Sequence, residues 1–309
     1  MTRIVRSLVV IVGLLFSLLT FTSFLKNFYW FFDVLTHFHL HYLLGLMLCI
    51  LTFILLRPSW YVLSVFVIAL GLNLYLLLPY FWPVASFLAN SLSVATINVY
   101  TDNQDYQKIV DYLNETDLDL VFLSEIEQPL MDRLRQELGE HYPYVVDESM
   151  EGNHGLAFMS TYPLNAETIP LDESHHRFIK AGLEWQGQEI IVYAAHPHPP
   201  LALRWSKSRD EELAVIQEHI QRETKPHIFL GDFNASPWSK PLQELFKETT
   251  LSHGAKGFGI YPTWRYKTIL LSAPIDHILV SPHWQVTEYR LDKDVGSDHF
   301  PVVAKVFLR

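Results

Sequence analysis

Cysteine is almost missing from this 309-residue chain: Cys49 is the only one. No internal disulfide can form, so cysteine usage permits oxidising and reducing compartments alike. Charge is scarce in the first 89 residues, where Arg3, Arg6, Lys26 and Arg57 face a single acid, Asp33. No charged residue sits in the middle of an apolar run there, which argues against a transport path. Basic residues are in turn short after residue 89, with 19 Lys and Arg against 32 Asp and Glu, a net −13. A part so acidic lacks the Lys/Arg footprint with which a duplex-binding protein grips phosphates. No small-x-small cleavage site follows the first apolar run, and no internal repeat emerges.

What the first 89 residues do hold is three apolar runs, about 4–25, 35–56 and 60–78. Each is close to the roughly 20 residues a helix needs to cross the hydrocarbon core of a bilayer. Aromatic belts mark their ends at Phe28 to Phe32, at Trp60 and Tyr61, and at Tyr80 to Trp82. A cleaved signal peptide is a poor account of the first run, which is long and followed by two more. The expectation is a membrane anchor over 1–89 with three transmembrane helices. Arg3, Arg6 and Arg57 set its orientation, because Lys26 and Asp33 cancel in the loop between the first two spans. The positive-inside rule places the N-terminus and Arg57 in the cytoplasm and, after three spans, residues 90–309 outside the cytoplasmic (inner) membrane. His37, His39 and His41 at the start of the second span read as interfacial residues touching water and headgroups. Asn73 reads as an interhelical hydrogen bond.

A connector with Pro, Ser and Asn runs from Pro79 to Ser93, and the remainder suits one large domain. Strand-like runs fall near 94–100, 118–124, 142–146, 154–160, 177–184, 189–195, 226–231, 275–280, 285–290 and 300–308. Helical periodicity falls near 103–115, 129–138, 206–222 and 239–248, with Pro129 in a first turn and Ser239 as a candidate cap.

Chemistry concentrates where these strands end. Gly231-Asp232-Phe233-Asn234 closes one apolar strand, and Gly296-Ser297-Asp298-His299 opens another. Carboxylate oxygens suit Mg2+, a carboxamide orients an oxygen, and a histidine moves a proton. Asn98 ends the run from Val94, Glu125 follows the run from Leu118, His196 follows the run from Glu189, and Asp276 sits in Pro274 to Val280. The order Asn, Glu, His, Asp-x-Asn, Asp, Ser-Asp-His over about 92–309 resembles the endonuclease/exonuclease/phosphatase superfamily. That family includes deoxyribonuclease I, the abasic-site endonucleases, neutral sphingomyelinases and inositol-polyphosphate 5-phosphatases.

The resemblance implies an α/β fold, a two-sheet α/β sandwich with outer helices, here preceded by three transmembrane helices. Glu125 is then the principal metal ligand and Asn98 supports the metal-bound phosphate or a metal water. Asp298 completes the metal shell or binds a second ion. Asp232 and Asn234, two apart and on one face in extended backbone, hold the attacking water and donate to a phosphate oxygen. His299 is the general base, and by resemblance Asp276 orients it, the role of the carboxylate in a catalytic triad. His196 protonates the leaving oxygen or binds phosphate; deoxyribonuclease I and the sphingomyelinases carry a histidine there, the abasic-site endonucleases a tyrosine. His198, Trp264 and Arg265 are candidate substrate contacts, while His175, His176 and His277 read as loop or packing residues. Ser124 stands where many relatives have Gln, which puts one supporting hydrogen bond to the metal-binding Glu in doubt.

Taken together, the chain reads as a membrane-anchored, Mg2+-dependent phosphoester hydrolase, with Mn2+ as a substitute ion and water attacking phosphorus without a covalent intermediate. The acidic domain favours a small or lipid-linked phosphoester, and Arg204, Lys207 and Arg209 are the one basic cluster near a site loop. A nuclease working on nucleic acid outside the cell is the rival within the class. A non-catalytic membrane scaffold is the rival outside it, and the intact residue set argues against that.

Overall fold

The computed structural model describes residues 2–56, 59–83, 90–171, 175–268 and 271–309. Arg57, on which part of the orientation argument stands, and residues 84–89 of the connector lie outside them. The N-terminal part contains α1 (Thr2–Ser23), a short α2 (Trp30–Val34), a 3-10 turn (Leu35–Phe38), α3 (His39–Leu55) and α4 (Trp60–Leu77). Three stretches, Arg3–Ser23, Trp30–Leu55 and Trp60–Tyr80, are long and apolar enough to cross a membrane. All three long helices touch one another. Small residues allow this: a Cβ on Gly13 of α1 would stand 2.2 Å from the Phe66 ring of α4. The outward faces stay apolar, with Ile4, Leu8, Ile11, Leu48, Leu51 and Leu55 exposed.

The remaining chain runs β1 (Leu92–Asn98), α5 (Tyr106–Glu115), β2 (Leu120–Ser124), α6 (Gln128–Leu138), β3 (Tyr144–Glu148) and β4 (Leu156–Ser160). It continues with β5 (Asn165–Pro170), β6 (Arg177–Trp185), β7 (Gln188–Ala195), α7 (Leu203–Gln221), β8 (His227–Asp232) and α8 (Lys240–Glu248). Two-residue strands β9 (Ser252–His253), β10 (Trp264–Arg265) and β11 (Ser272–Ala273) precede β12 (Asp276–Val280), β13 (Trp284–Leu291) and β14 (Val302–Leu308).

Two six-stranded sheets result, β13-β14-β1-β2-β4-β3 and β5-β6-β7-β8-β12-β9, with β10-β11 as a small ribbon. Each sheet holds one parallel pair, β1/β2 and β7/β8, flanked by antiparallel neighbours. Between the sheets lie Val94, Phe122, Phe158, Val192, Leu230, Ile278 and Val306. Residues of opposite parity pack outward: Ala95, Ile97 and Val121 under α5 and α6, and Tyr193, Phe229 and Leu279 under α7 and α8. Strands buried on both faces explain why the sequence shows near-continuous apolar runs rather than strict alternation. The architecture is an α/β sandwich with outer helices.

The helices sit where periodicity places them, α5 burying Ile109, Val110, Tyr112 and Leu113. Asp105 caps α5 by accepting from the Lys108 N–H at 3.3 Å. Ser239 precedes α8 but does not cap it; its hydroxyl donates back to the Ser236 carbonyl at 2.7 Å.

The two parts of the chain are joined by a buried polar seam. Arg209 of α7, fully buried, donates from Nη2 to Asp33 Oδ2 at 2.7 Å and from Nη1 to the Asn234 carbonyl at 3.0 Å. The other Asp33 oxygen accepts from the Lys240 N–H at 2.5 Å. Thr36 bonds Ser236 at 3.0 Å, and Lys26 Nζ donates to the Trp238 carbonyl at 2.5 Å. The histidines at the start of the second span differ from expectation here. His37 and His39 are buried, the latter 2.8 Å from Asn73 Oδ1, because the globular part covers the surface that water would otherwise occupy. Asn73 also donates to Thr20 of α1 at 2.9 Å, linking three helices.

Candidate active site

The site forms where β1, β2, β7, β8 and β12 end at one edge of the sandwich. Register dictates this: Asn98 pairs with Ser124 across β1/β2, and Asp276 pairs with Asp232 across β12/β8. Gly231 makes the approach of β7 and β8 possible. It adopts φ +148°, and a Cβ there would lie 1.9 Å from the Ala195 carbonyl oxygen. Asp232 and His196 consequently follow directly from the two strands and face one another. Tyr100, Glu125 and Asn234, at the strand exits, all take positive φ (62°, 59° and 50°). Such backbone costs about 1–3 kcal/mol per residue and persists where surrounding contacts enforce it.

Those contacts are hydrogen bonds aimed at carboxylates. Asn98 Nδ2 donates to Glu125 Oε1 at 2.8 Å and to Asp232 Oδ2 at 3.1 Å, while its Oδ1 accepts from the Tyr100 N–H at 2.9 Å. Thr101 supplies its N–H and hydroxyl to Glu125 Oε2, both at 3.2 Å. Thr101 thus supports Glu125, whereas Ser124 Oγ is buried with no hydrogen-bond partner among the described residues. Asp232 and Asn234 do not share an extended face. The Asn234 N–H bonds Asp232 Oδ1 at 2.9 Å in a tight Asx turn, and the left-handed backbone swings Asn234 Nδ2 to the Pro197 carbonyl at 3.0 Å and to His196 Nε2 at 3.3 Å.

His299 approaches from the opposite side. Its Nδ1 bonds Asp276 Oδ2 at 2.8 Å, and its Nε2 stands 3.7 Å from Asp232 Oδ2 and 3.9 Å from Asp298 Oδ1. Two hydroxyls set this geometry. Thr263 Oγ1 accepts the N–H groups of Ile275 and Asp276 at 3.1 and 3.0 Å, and Ser297 Oγ accepts that of His299 at 3.0 Å. His196 Nε2 lies 3.5 Å from Asp232 Oδ2 and 3.8 Å from Glu125 Oε1.

Four carboxylates against two imidazoles dominate the electrostatics. Burial works against a charged His299, but the charges of Asp276 and Asp232 and the Asp276 hydrogen bond outweigh it, and its pKa is pushed up to about 10. Burial lifts the Asp276 carboxyl above the usual range, against the pull of His299. His196 is likewise raised: burial opposes the charge, yet the Asp232 hydrogen bond and the charges of Asp232 and Glu125 prevail. Asp232 is held below the ordinary carboxylate range, since His299 and His196 overcome its burial. Burial raises Asp298. Asp276 Oδ1 and Asp298 Oδ1 are buried and make no hydrogen bond among the described residues. An acid-rich donor set with orphaned carboxylate oxygens fits a hard divalent cation. The Asp232, Asp276 and His299 donor atoms are also close enough together to hold an ion. Asp276 is fully buried, however, and its Oδ2 is already engaged by His299 Nδ1.

Of the candidate substrate contacts, Trp264 lies at the site. Its Nε1 donates to Asp298 Oδ2 at 3.0 Å, and it bridges to His299 through the backbone. Arg265 is committed elsewhere, to Asp294 and to the face of Phe300 at 4.2 Å, so it shapes the wall rather than offering a free cation. That wall belongs to a cavity of about 830 Å3 bordered by Tyr100, Arg265, Tyr266, Lys267, Asp298 and Phe300. His198 turns from the carboxylate cluster towards Glu212 of α7. The basic cluster near 204–209 also dissolves: Arg204 and Lys207 are exposed, while Arg209 is taken up by Asp33 and Asp210. His277 is a packing residue, bonded to His253 at 2.8 Å and to the Ala235 carbonyl at 2.8 Å. Reading the sequence missed Thr101, Thr263 and Ser297 as supports. Ser297 was visible inside Gly-Ser-Asp-His, but nothing in sequence links Thr263 to Asp276.

A family model described as the Endonuclease/Exonuclease/phosphatase family matches residues 95–299. No curated protein matches the chain. Among solved structures, a humanized D. rerio TDP2 carrying 14 mutations aligns with a TM-score of 0.61 at 19% identity, covering 71% of this chain and 100% of that one. Sphingomyelinase C from Streptomyces griseocarneus aligns at 0.55 and 16%, covering 70% and 99%. The human Nocturnin catalytic domain with bound sulfate aligns at 0.57 and 19%, covering 73% and 97%. Likeness at these identities is likeness of fold, and the family match carries the assignment. The chain belongs to the endonuclease/exonuclease/phosphatase family, whose members are metal-dependent phosphoester hydrolases.

Proposed function

We propose that the chain is a membrane-anchored, Mg2+-dependent hydrolase of a small or lipid-linked phosphoester, with residues 1–89 as a three-span anchor and 90–309 as the catalytic domain. The observation that carries the reading is the convergence of Asn98, Glu125, His196, Asp232, Asn234, Asp276 and His299 at one strand edge, with His299 tied to Asp276. Glu125, Asn98 and Asp298 would hold the ion. A bound dication neutralises phosphate oxygens and the charge that develops on the leaving oxygen.

The chain's own groups do the rest. Asp232 Oδ2 is the carboxylate oxygen nearest to Nε2 of both imidazoles and orients the attacking water. A dication held by Glu125, Asn98 and Asp298 would offset part of the negative charge that keeps His299 protonated, and the neutral ring would take the water's proton. Asp276 fixes the tautomer and stabilises the charge that results. His196, whose pKa is raised, carries a proton suited to the leaving oxygen. Asn234, held beside His196, presents its amide to a phosphate oxygen.

The acidity of the domain argues for a small or lipid headgroup substrate, and so does its seat on the anchor. The loop bearing Asp232 and Asn234 is bonded to Lys26, Asp33 and Thr36 at the end of apolar helices. Arg3 and Arg6 before the first span support an orientation with the domain outside the cytoplasmic membrane. A nuclease is the second reading, favoured by the cavity that combines Tyr100, Tyr266, Phe300 and Lys267, which suits stacked bases. D. rerio TDP2, a relative in fold, is solved with a single-strand DNA product.

The test is turnover by the detergent-solubilised full chain on bis-nitrophenyl phosphate, phospholipid vesicles, and single- and double-stranded DNA, with Mg2+ or chelator. Chelator-sensitive hydrolysis of lipid or dye esters in preference to DNA is expected. Preference for single strands moves the assignment to nuclease, and no turnover on any substrate moves it to a scaffold.

A further inference from the structure

The chain leaves β7 through His196-Pro197-His198, and the two histidines part company there. His196 faces the carboxylates, while His198 joins a second polar cluster on the other side of the loop. Glu212, buried on α7, lies at its centre and accepts the His198 N–H at Oε2 at 2.9 Å. Its other oxygen, Oε1, meets two ring nitrogens: His198 Nδ1 in a short contact, and His176 Nδ1 at 3.5 Å. The His176 and His198 rings stack face to face, with centroids 3.6 Å apart and planes within 7°. His154 closes the group, its ring 4.3 Å from that of His176 and partly exposed.

Three imidazoles around one buried carboxylate make a different donor set from that of the catalytic edge. The donor atoms of His176, His198 and Glu212 all lie within 4.8 Å of one another. Ligands of a tetrahedral ion with bonds of about 2.0–2.1 Å sit closer than that, and because the two rings are parallel, one must turn out of the stack to bring both ring nitrogens onto one ion. Two histidines and a carboxylate suit a borderline ion such as Zn2+, whereas the oxygen-rich catalytic cluster suits Mg2+.

We propose that His176, His198 and Glu212, bordered by His154, form a second cation site for Zn2+ or a similar borderline divalent ion. Its residues come from four segments: the turn before β4, the entry to β6, the exit of β7, and α7. A cation there stitches these segments together and fixes the loop on which His196 stands, so His198 acts as a positioning residue two positions from the catalytic edge. The proposal is independent of which phosphoester is cleaved.

The experiment uses the detergent-solubilised full chain, stripped with chelator, saturated with Mg2+ and titrated with Zn2+, then with Co2+ as a spectroscopic substitute. The wild type is expected to bind one Zn2+ per chain despite the Mg2+, and Co2+ in its place to give visible d–d absorption of a nitrogen-ligated, low-coordinate site. Both signals should persist in Glu125→Gln, and Zn2+ affinity should fall by about 10²-fold or more in His176→Ala and in Glu212→Gln, at least the scale seen for lost outer-shell partners. The wild-type arm is decisive whether or not the variants fold: no stoichiometric Zn2+ in the presence of Mg2+ overturns the site. Binding abolished by Glu125→Gln, or unchanged in a folded His176→Ala, overturns it equally.

Discussion

Two buried pairs grip the same loop from opposite sides, and they use charge differently. Asp276 and His299 meet beneath the cleft, in front of Asp232. Asp33 and Arg209 meet at the seam with the apolar helices, behind Asn234. Arginine stays protonated at any pH the protein meets, so the second pair is permanent and its guanidinium also holds a backbone carbonyl. Histidine titrates, and its partner decides where. On the function proposed above, the first pair moves a proton while the second holds the loop still. Burial alone does not distinguish a catalytic charge from a structural one; whether the cation can give up its proton does.

That contrast can be broken first at the seam. Arg209→Met leaves the Asp33 carboxylate buried without its cation, a change that costs about 3–5 kcal/mol. The melting temperature of the solubilised chain should drop accordingly, and adding Asp33→Asn should recover part of the loss, because the Asp33 charge is then gone while Asp210, also bonded to Arg209 at 2.7 Å, still lacks its cation. A double variant as unstable as the single one would show that the guanidinium does not act through Asp33.

Glu125→Gln tests the cleft. The amide keeps the shape but removes the charge that a hard dication prefers, so the Mg2+ concentration for half-maximal turnover should rise by about 10-fold or more with the circular dichroism spectrum unchanged. Unaltered Mg2+ dependence would remove Glu125 as the principal ligand.

The pH dependence of stability tests the first pair directly. His299 has its folded pKa pushed up to about 10, above the roughly 6.5 of an unfolded histidine. Its stabilisation is complete below about pH 6.5 and is lost as pH rises towards 10. In chelator, the melting temperature of the wild type should therefore fall between pH 6.5 and 10 relative to His299→Gln. Parallel curves for the two proteins would contradict a protonated His299.

The smallest effect is expected from Trp264→Phe, which deletes the hydrogen bond from Nε1 to Asp298 and keeps the ring. Turnover should fall by about threefold to tenfold, the free-energy scale of one hydrogen bond, with stability little changed. A loss of 10²-fold would give the indole a direct part in the chemistry.

How much was legible in sequence follows the same division between local and distant causes. Strands β1, β2, β7, β8, β12 and β14 are buried on both faces and show as apolar runs whose ends carry the polar residues of the site. β5 could not be read, because Asn165–Pro170 is half to fully exposed and has no apolar pattern. The two-residue strands β9, β10 and β11 are too short to leave a period. Asn98, Glu125, His196, Asp232, Asn234, Asp276 and His299 were visible because each ends or begins a strand, and their order added a family pattern. Arg209 was not: on α7 it resembles a solvated basic residue, and its partner Asp33 lies 176 positions away. Nor could His198 be separated from His196, since only the turn through Pro197 and the placement of Glu212 send the two rings to different clusters.

The account rests on His299 and Asp276 acting as one unit, and a double-variant cycle measures that. With kcat determined for His299→Ala, Asp276→Asn and the double variant in saturating Mg2+, and folding checked by circular dichroism, each single change should cost about 10²-fold or more. The double variant should then be little worse than either single one, because removing the imidazole leaves Asp276 nothing to orient. Losses that multiply in full would show two independent groups and contradict the relay.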